Sequence, residues 1–177
     1  MWLTVEGCGV LWRSVERPGA SSGGKGKHSV FLGTHEPRLD DKGRLILPAK
    51  FRDDLAGGLV ITKGQERCLN VWPTPRFEEI TRDLGLGGSV TRKDLRDYTR
   101  VFLSGASDEI PDKQGRVTIP SGLRRYAHLA REVVVIGAGD RVEIWDSAAW
   151  QAYLTEQEDK YASLAEEVMP SPIGLTV

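Results

Sequence analysis

Twice in this chain an arginine follows a glycine turn, an arrangement whose chemistry is anion recognition rather than catalysis. Asp40-Asp41-Lys42-Gly43-Arg44-Leu45-Ile46-Leu47-Pro48-Ala49-Lys50-Phe51-Arg52 recurs 72 positions later as Asp112-Lys113-Gln114-Gly115-Arg116-Val117-Thr118-Ile119-Pro120-Ser121-Gly122-Leu123-Arg124. Asp-x-x-Gly is turn chemistry, because Asp accepts local backbone hydrogen bonds and Gly adopts a positive φ without steric cost. An arginine beside such a turn stands where backbone can approach a nucleic-acid groove, and a guanidinium can contact guanine O6 and N7 bidentately. For Lys42 and Arg44 two readings stay open: contact with DNA, or a pairing of Arg44 with Asp40 or Asp41 that merely fixes the turn. Lys113 and Arg116 are the matching residues of the second copy. Arg38, Lys50 and Arg52 are candidates for phosphate contacts, which add affinity and salt dependence but read no sequence, and Arg124 is a further DNA-binding candidate; on short surface helices such residues are also often just solvated. Gly43 and Gly115 are read as conformational, Pro48 and Pro120 as structural.

Little else in the chain suggests chemistry. Cys8 and Cys68 lack the close pairing of zinc ligands, and His28, His35 and His128 lie in no metal-ligand spacing or nucleophile motif. The aspartates of the two turns are interleaved with basic residues, a poor arrangement for a cation. The expectation is a protein that is not an enzyme, with no cofactor, metal or small-molecule substrate. No run approaches the roughly 18–20 apolar residues of a membrane span, and Glu6 interrupts the short apolar start with no basic segment before it. Export is not expected, and the compartment expected is the cytoplasm.

The net charge is −1, but it is unevenly spread: residues 143–177 hold seven acidic residues and one basic, a charge of −6 that leaves +5 on the remainder. A basic body with an acidic tail suits a polyanion-binding protein, and suits a plain solvated helix equally.

The elements that must position the turns repeat with them. Short strands are expected at 44–47 and 116–119. Prolines ending them preset the backbone for helices at about 49–55 and 121–127. Hairpins follow at 59–63 with 68–72, and at 132–136 with 141–145. Leu59-Val60-Ile61 matches Val133-Val134-Val135, Val71-Trp72 matches Ile144-Trp145, and Phe77 falls opposite Trp150. Trp72 and Trp145 are read as core. A helix at about 91–103 carries Leu95, Tyr98, Thr99, Phe102 and Leu103 on one face, and a helix at about 147–167 carries Trp150, Tyr153, Leu154, Tyr161 and Leu164. A unit of roughly 45 residues buries too little core alone, so the two copies should pair within the chain. The expected class is α+β, two β-rich modules forming one pseudo-symmetric, barrel-like body with flanking helices.

Pro18 to Lys27 has linker composition, and translation is expected to begin at Val30, with 1–29 a disordered extension or a mis-assigned start. The remaining divisions expected are module 1 at 30–80, a helical connector at 81–104 containing Gly85-Leu86-Gly87-Gly88, module 2 at 105–150, and a C-terminal helix and tail at 151–177.

The Asp-x-x-Gly-Arg-apolar-x-apolar-Pro repeats resemble the AbrB-like swapped-hairpin proteins. Two copies after Phe31-Leu32-Gly33, with Leu103-Ser104-Gly105-Ala106 between them, are similar to the MraZ family over about residues 30–168. The chain departs from that family in its first 29 residues, in Val30 where Met is usual, and in Gln114 where the first copy has Lys42. The resemblance implies a bacterial, nucleoid-associated regulator of the division and cell-wall gene cluster. It also implies ring-shaped homo-oligomers that bind short direct repeats in promoter DNA, Lys42 and Arg44 among the contacts. Several identical modules on one DNA would raise avidity without any new type of contact. The rival reading is an AbrB-fold protein-interaction module, antitoxin-like or scaffolding, whose acidic C-terminal helix engages a partner; the second full motif argues against it.

Overall fold

The computed structural model describes residues 30–84 and 93–168, with side chains as far as Tyr161. The segment 1–29, the Gly85-Leu86-Gly87-Gly88 break and the Leu164 side chain lie outside the described residues. The first copy comprises β1 (Phe31–His35), β2 (Arg44–Ile46), α1 (Ala49–Leu55), β3 (Leu59–Lys63), β4 (Leu69–Pro73) and α2 (Thr74–Asp83). After α3 (Lys93–Ser104), the second copy repeats the order with β5 (Ser107–Glu109), β6 (Arg116–Thr118), α4 (Ser121–Tyr126), β7 (Val133–Gly139), β8 (Val142–Asp146) and α5 (Ser147–Val168). Pro48 and Pro120 stand one residue before α1 and α4, at φ of −52° and −54° with extended ψ, so they end the strand and set the entry to the helix from its cap position.

The copies exchange strands. A six-stranded antiparallel sheet runs β1-β7-β8-β4-β3-β5, and a separate ribbon pairs β2 with β6. Thus β1 joins the hairpin of the second copy, with His35 opposite Val135, and β5 joins the hairpin of the first, with Ser107 opposite Ile61. Exchanging the copies reads the strand order backwards, which is the signature of a pseudo-twofold axis. That axis passes the sheet at Asn70 opposite Glu143 and the ribbon at Leu45 opposite Val117, pairs whose members occupy equivalent places in the two copies. The barrel-like body expected from the sequence is not confirmed: β1 and β5 are the outer strands of the sheet, and no closed sheet is found among the described residues.

Both copies fill one core. Leu45, Leu47, Phe51, Leu55, Ile61 and Val71 pack in one cluster with Val117, Ile119, Leu123, Val135 and Ile144. Each such side chain contributes about 1.5–3 kcal/mol on burial, so the ribbon is anchored by Leu45 and Val117 beneath it. Trp72 and Trp145 are buried, as expected of core residues; the Trp72 indole N–H donates to buried Thr62 Oγ1 at 3.0 Å. Trp145 packs against Trp150 and Tyr153 and so docks the first turns of α5. The apolar faces read for the two long helices are only partly covered. Phe102 is buried, but Tyr98, Leu103 and Tyr161 are exposed, Tyr161 at 71%. The helical periodicity of α5 thus continues past the turns docked on Trp145 to Tyr161, which no described residue buries.

Candidate nucleic-acid interface

The β2–β6 ribbon presents the motif residues. Strand alternation sends Leu45 and Val117 into the core and Arg44, Ile46, Arg116 and Thr118 outward. The register sets Arg44 across from Thr118 and Arg116 across from Ile46, so the two arginines stand diagonally on one solvent-facing surface, related by the pseudo-twofold. Ile46 and Thr118, overlooked in the sequence, complete that surface; their alternation with Leu45 and Val117 was the available signal.

Each arginine is held by the aspartate that opens its turn. Asp40 Oδ1 accepts from the backbone N–H of Lys42 at 2.9 Å and of Arg44 at 2.8 Å, while Oδ2 accepts from Arg44 Nε at 2.6 Å. Asp112 repeats this with Gln114 N (2.9 Å), Arg116 N (3.0 Å) and Arg116 Nε (2.7 Å). The donated backbone bond of Arg44 leads in holding the Asp40 carboxyl below its ordinary range. Asp112 is drawn down to about 2, first by the Arg116 backbone N–H and then by its side chain. Of the two readings left open by the sequence, the pairing with Asp40 is realised; the contact with DNA remains compatible with it, because a guanidinium has donors beyond the one Asp40 engages.

The turns also lock one another. Gly43 and Gly115 adopt φ of +73° and +72°. Gly43 O accepts from Ile119 N at 2.9 Å and Gly115 O from Leu47 N at 2.8 Å, extending the ribbon at both ends. Arg124 lies over Gly43 and Arg52 over Gly115: a Cβ on Gly43 would stand 2.6 Å from the Arg124 guanidinium carbon, and one on Gly115 2.7 Å from Arg52 Nε. The Nε groups of these arginines donate back to Leu47 O at 2.8 Å (Arg52) and to Ile119 O at 3.0 Å (Arg124). Arg52 and Arg124 therefore clamp the opposite copy's turn.

The other basic candidates contribute no side-chain contact to these turns among the bonds described. Lys42 and Lys113 are exposed on the turns. Arg38 pairs with Glu132 at 2.9 Å, both well exposed, and Lys50 Nζ donates to Leu32 O at 3.3 Å. Among the described residues no cluster of His, Cys, Asp and Glu is arranged to hold a metal ion, and no helix is long and apolar enough to cross a membrane.

Residues 30–100 and 102–169 each match one family model, described as "MraZ protein, putative antitoxin-like". The chain belongs to the MraZ family. The two matched stretches correspond to the two strand-exchanging copies. MraZ relatives match at high identity over the same region: the transcriptional regulator MraZ of Salinispora tropica is 64% identical over 141 residues, 80% of this chain and 99% of the relative. The transcriptional regulators MraZ of Frankia alni and Thermobifida fusca are each 62% identical, over 144 and 141 residues, covering 81% and 80% of this chain and 100% and 98% of the relatives.

Proposed function

We propose that this chain is a sequence-specific DNA-binding transcription regulator that reads short direct repeats in promoter DNA of the division and cell-wall gene cluster, working as a ring-shaped homo-oligomer in the cytoplasm, at the nucleoid. The observation that carries the reading is the two-stranded ribbon with Arg44 and Arg116 on its outer face. A two-stranded ribbon fits the major groove, about 12 Å wide, and arginine there discriminates guanine by about 1–3 kcal/mol per bidentate contact. Asp40 and Asp112 orient the guanidiniums in advance, which lowers the cost of ordering them on binding. Lys42 and Lys113 extend the basic surface from the turns. Arg38 and Lys50 are assigned phosphate contacts, Arg52 and Arg124 a role mainly through the turns they clamp. The names of the relatives support regulation of transcription; the family resemblance supports the gene cluster and the ring. The divisions 30–80, 81–104, 105–150 and 151–177 are kept as units of the repeat.

The test is a mobility-shift assay on the DNA upstream of the chain's own gene, at two salt concentrations, with wild type and Arg44→Ala. Loss of preference for that DNA over an unrelated duplex is expected in the variant, with a steep salt dependence in the wild type. Unchanged binding by Arg44→Ala removes the assignment.

The acidic α5 and the exposed Tyr161 favour a second reading, an antitoxin-like or scaffolding module that engages a protein partner. It requires that the purified chain show no preference among duplexes.

A further inference from the structure

Because the copies are related by a pseudo-twofold, the places where they differ point to functions that only one end of the ribbon has. α1 and α4 flank opposite ends: Leu47, before α1, donates to Gly115 O, and Ile119, before α4, donates to Gly43 O. Their charges differ. α1 sets Lys50 and Arg52 against Asp53 and Asp54, whereas α4 carries Arg124 and Arg125 with no acid. By the offset of the repeat, Arg125 takes the place of Asp53 and Ser121 that of Ala49.

The chain leaves α4 through His128, at φ +51°, a left-handed conformation uncommon for a residue other than glycine. The His128 backbone N–H donates to Arg125 O at 3.3 Å, closing the last turn of α4. Ser121, Arg124, Arg125, His128 and Leu129 line an open concavity of about 610 Å³. Arg124 ties it to the first turn, since its guanidinium lies over Gly43. Arg125, His128 and Ser121 are exposed.

We propose that this concavity holds one backbone phosphate of duplex DNA at the α4 end of the ribbon, with Arg125 and His128 as the principal donors and the Ser121 hydroxyl as a third, and that this contact fixes the direction in which each protomer lies on DNA. A phosphodiester is the matching ligand: it is anionic, presents several acceptor oxygens, and suits the planar fork of arginine. Phosphate contacts set register and orientation. A pseudo-symmetric ribbon alone would accept a site in either direction nearly equally; a phosphate clamp at one end removes that degeneracy. The attraction of a cation to the helix C-terminus explains an arginine at 125, but neither the backbone of His128 nor the shared lining of one concavity by Ser121, Arg125 and His128. The inference rests on the ribbon reading above.

The test uses the full chain, the upstream duplex and a scrambled duplex of equal length, over a series of salt concentrations. Arg125→Ala should reduce the slope of log K against log salt by about one for each protomer engaged on the duplex, the contribution of one phosphate apiece, and weaken both duplexes by the same factor. Asp53→Ala, at the opposite end, should leave the slope unchanged. Uncharged methylphosphonates placed along either flank of the site should weaken the wild type more on one flank than on the other, and this difference should shrink in Arg125→Ala. An unchanged slope for Arg125→Ala, or equal methylphosphonate effects on both flanks, overturns the proposal. If the wild type binds neither duplex, the ribbon reading fails and this inference with it. If Arg44→Ala binds like the wild type, the ribbon reading fails alone, and the Arg125→Ala slope still decides the phosphate site.

Discussion

Asp40 and Asp112 do more for the turns than the arginines they hold, because each carboxylate accepts two backbone N–H groups as well as a guanidinium. Acid should therefore loosen the turns. The folded pKa of Asp112 is about 2, below the unfolded value of about 3.9. The stabilisation is present in full above the unfolded value and is lost as pH falls from about 4 towards about 2. A carboxyl NMR titration should place Asp112 near 2 in the wild type and higher in Arg116→Ala. It should stay below its ordinary value there, since the backbone bond is the larger cause; an unshifted Asp112 in the variant contradicts this. The turn glycines give a second prediction. Gly43→Ala forces a left-handed alanine against Arg124 and should cost about 1–3 kcal/mol in chemical denaturation. Gly57→Ala, where the added Cβ meets nothing within 4 Å, should be neutral or mildly stabilising. Equal effects would show that the clamp contributes nothing. The turn chemistry was legible in Asp-x-x-Gly, but the clamp was not: Arg52 and Arg124 look like solvated helix residues until the fold brings each to the opposite copy's glycine, a contact no local pattern encodes.

Element boundaries followed the sequence closely, because Pro48, Pro120 and the matched apolar triplets punctuate both copies alike. The two expected hairpins formed as well, but the partners of β1 and β5 were not legible. β1 precedes two hairpins of nearly identical pattern, and period-two alternation is satisfied by either; the connection lengths and the shared core decide for the second copy. For the same reason barrel closure could not be read from strand count. The reach of α5 was also hidden, since Trp150, Tyr153 and Tyr161 lie on one helical stripe although Tyr161 is exposed. Tyr153, with its ring centroid 4.9 Å from that of Trp145, should lose roughly 1–3 kcal/mol on Tyr153→Ala, whereas Tyr161→Ala should stay within about 0.5 kcal/mol. Thermal unfolding of the two variants checks this. A Tyr161 variant as unstable as the Tyr153 variant would mean that the distal part of α5 is packed against something in solution.

At the scale of the molecule, strand exchange makes the two copies one cooperative unit. Each hairpin has an edge strand from the other copy, β4 pairs with β8, and the ribbon draws one strand from each. No opening confined to one copy leaves the other with a complete sheet or a covered core. Amides of Ile61, opposite Ser107, and of Val135, opposite His35, should therefore exchange with one global free energy under native conditions, although they lie in different family repeats. Leu45→Ala, which removes a fully buried side chain on the pseudo-axis, should lower both by the same amount, about 2–5 kcal/mol. A fragment spanning 105–168 would lack partners for β6, β7 and β8. Two such fragments can supply them to each other by the same pseudo-twofold, with β5 of one completing β7 of the other. The fragment should accordingly fold only as a dimer, with a denaturation midpoint that rises with concentration. Separate exchange energies for Ile61 and Val135, or a fragment that folds as a monomer, would show that the copies are independent domains, and the ribbon would then lose the joint core that holds Arg44 and Arg116 on one face.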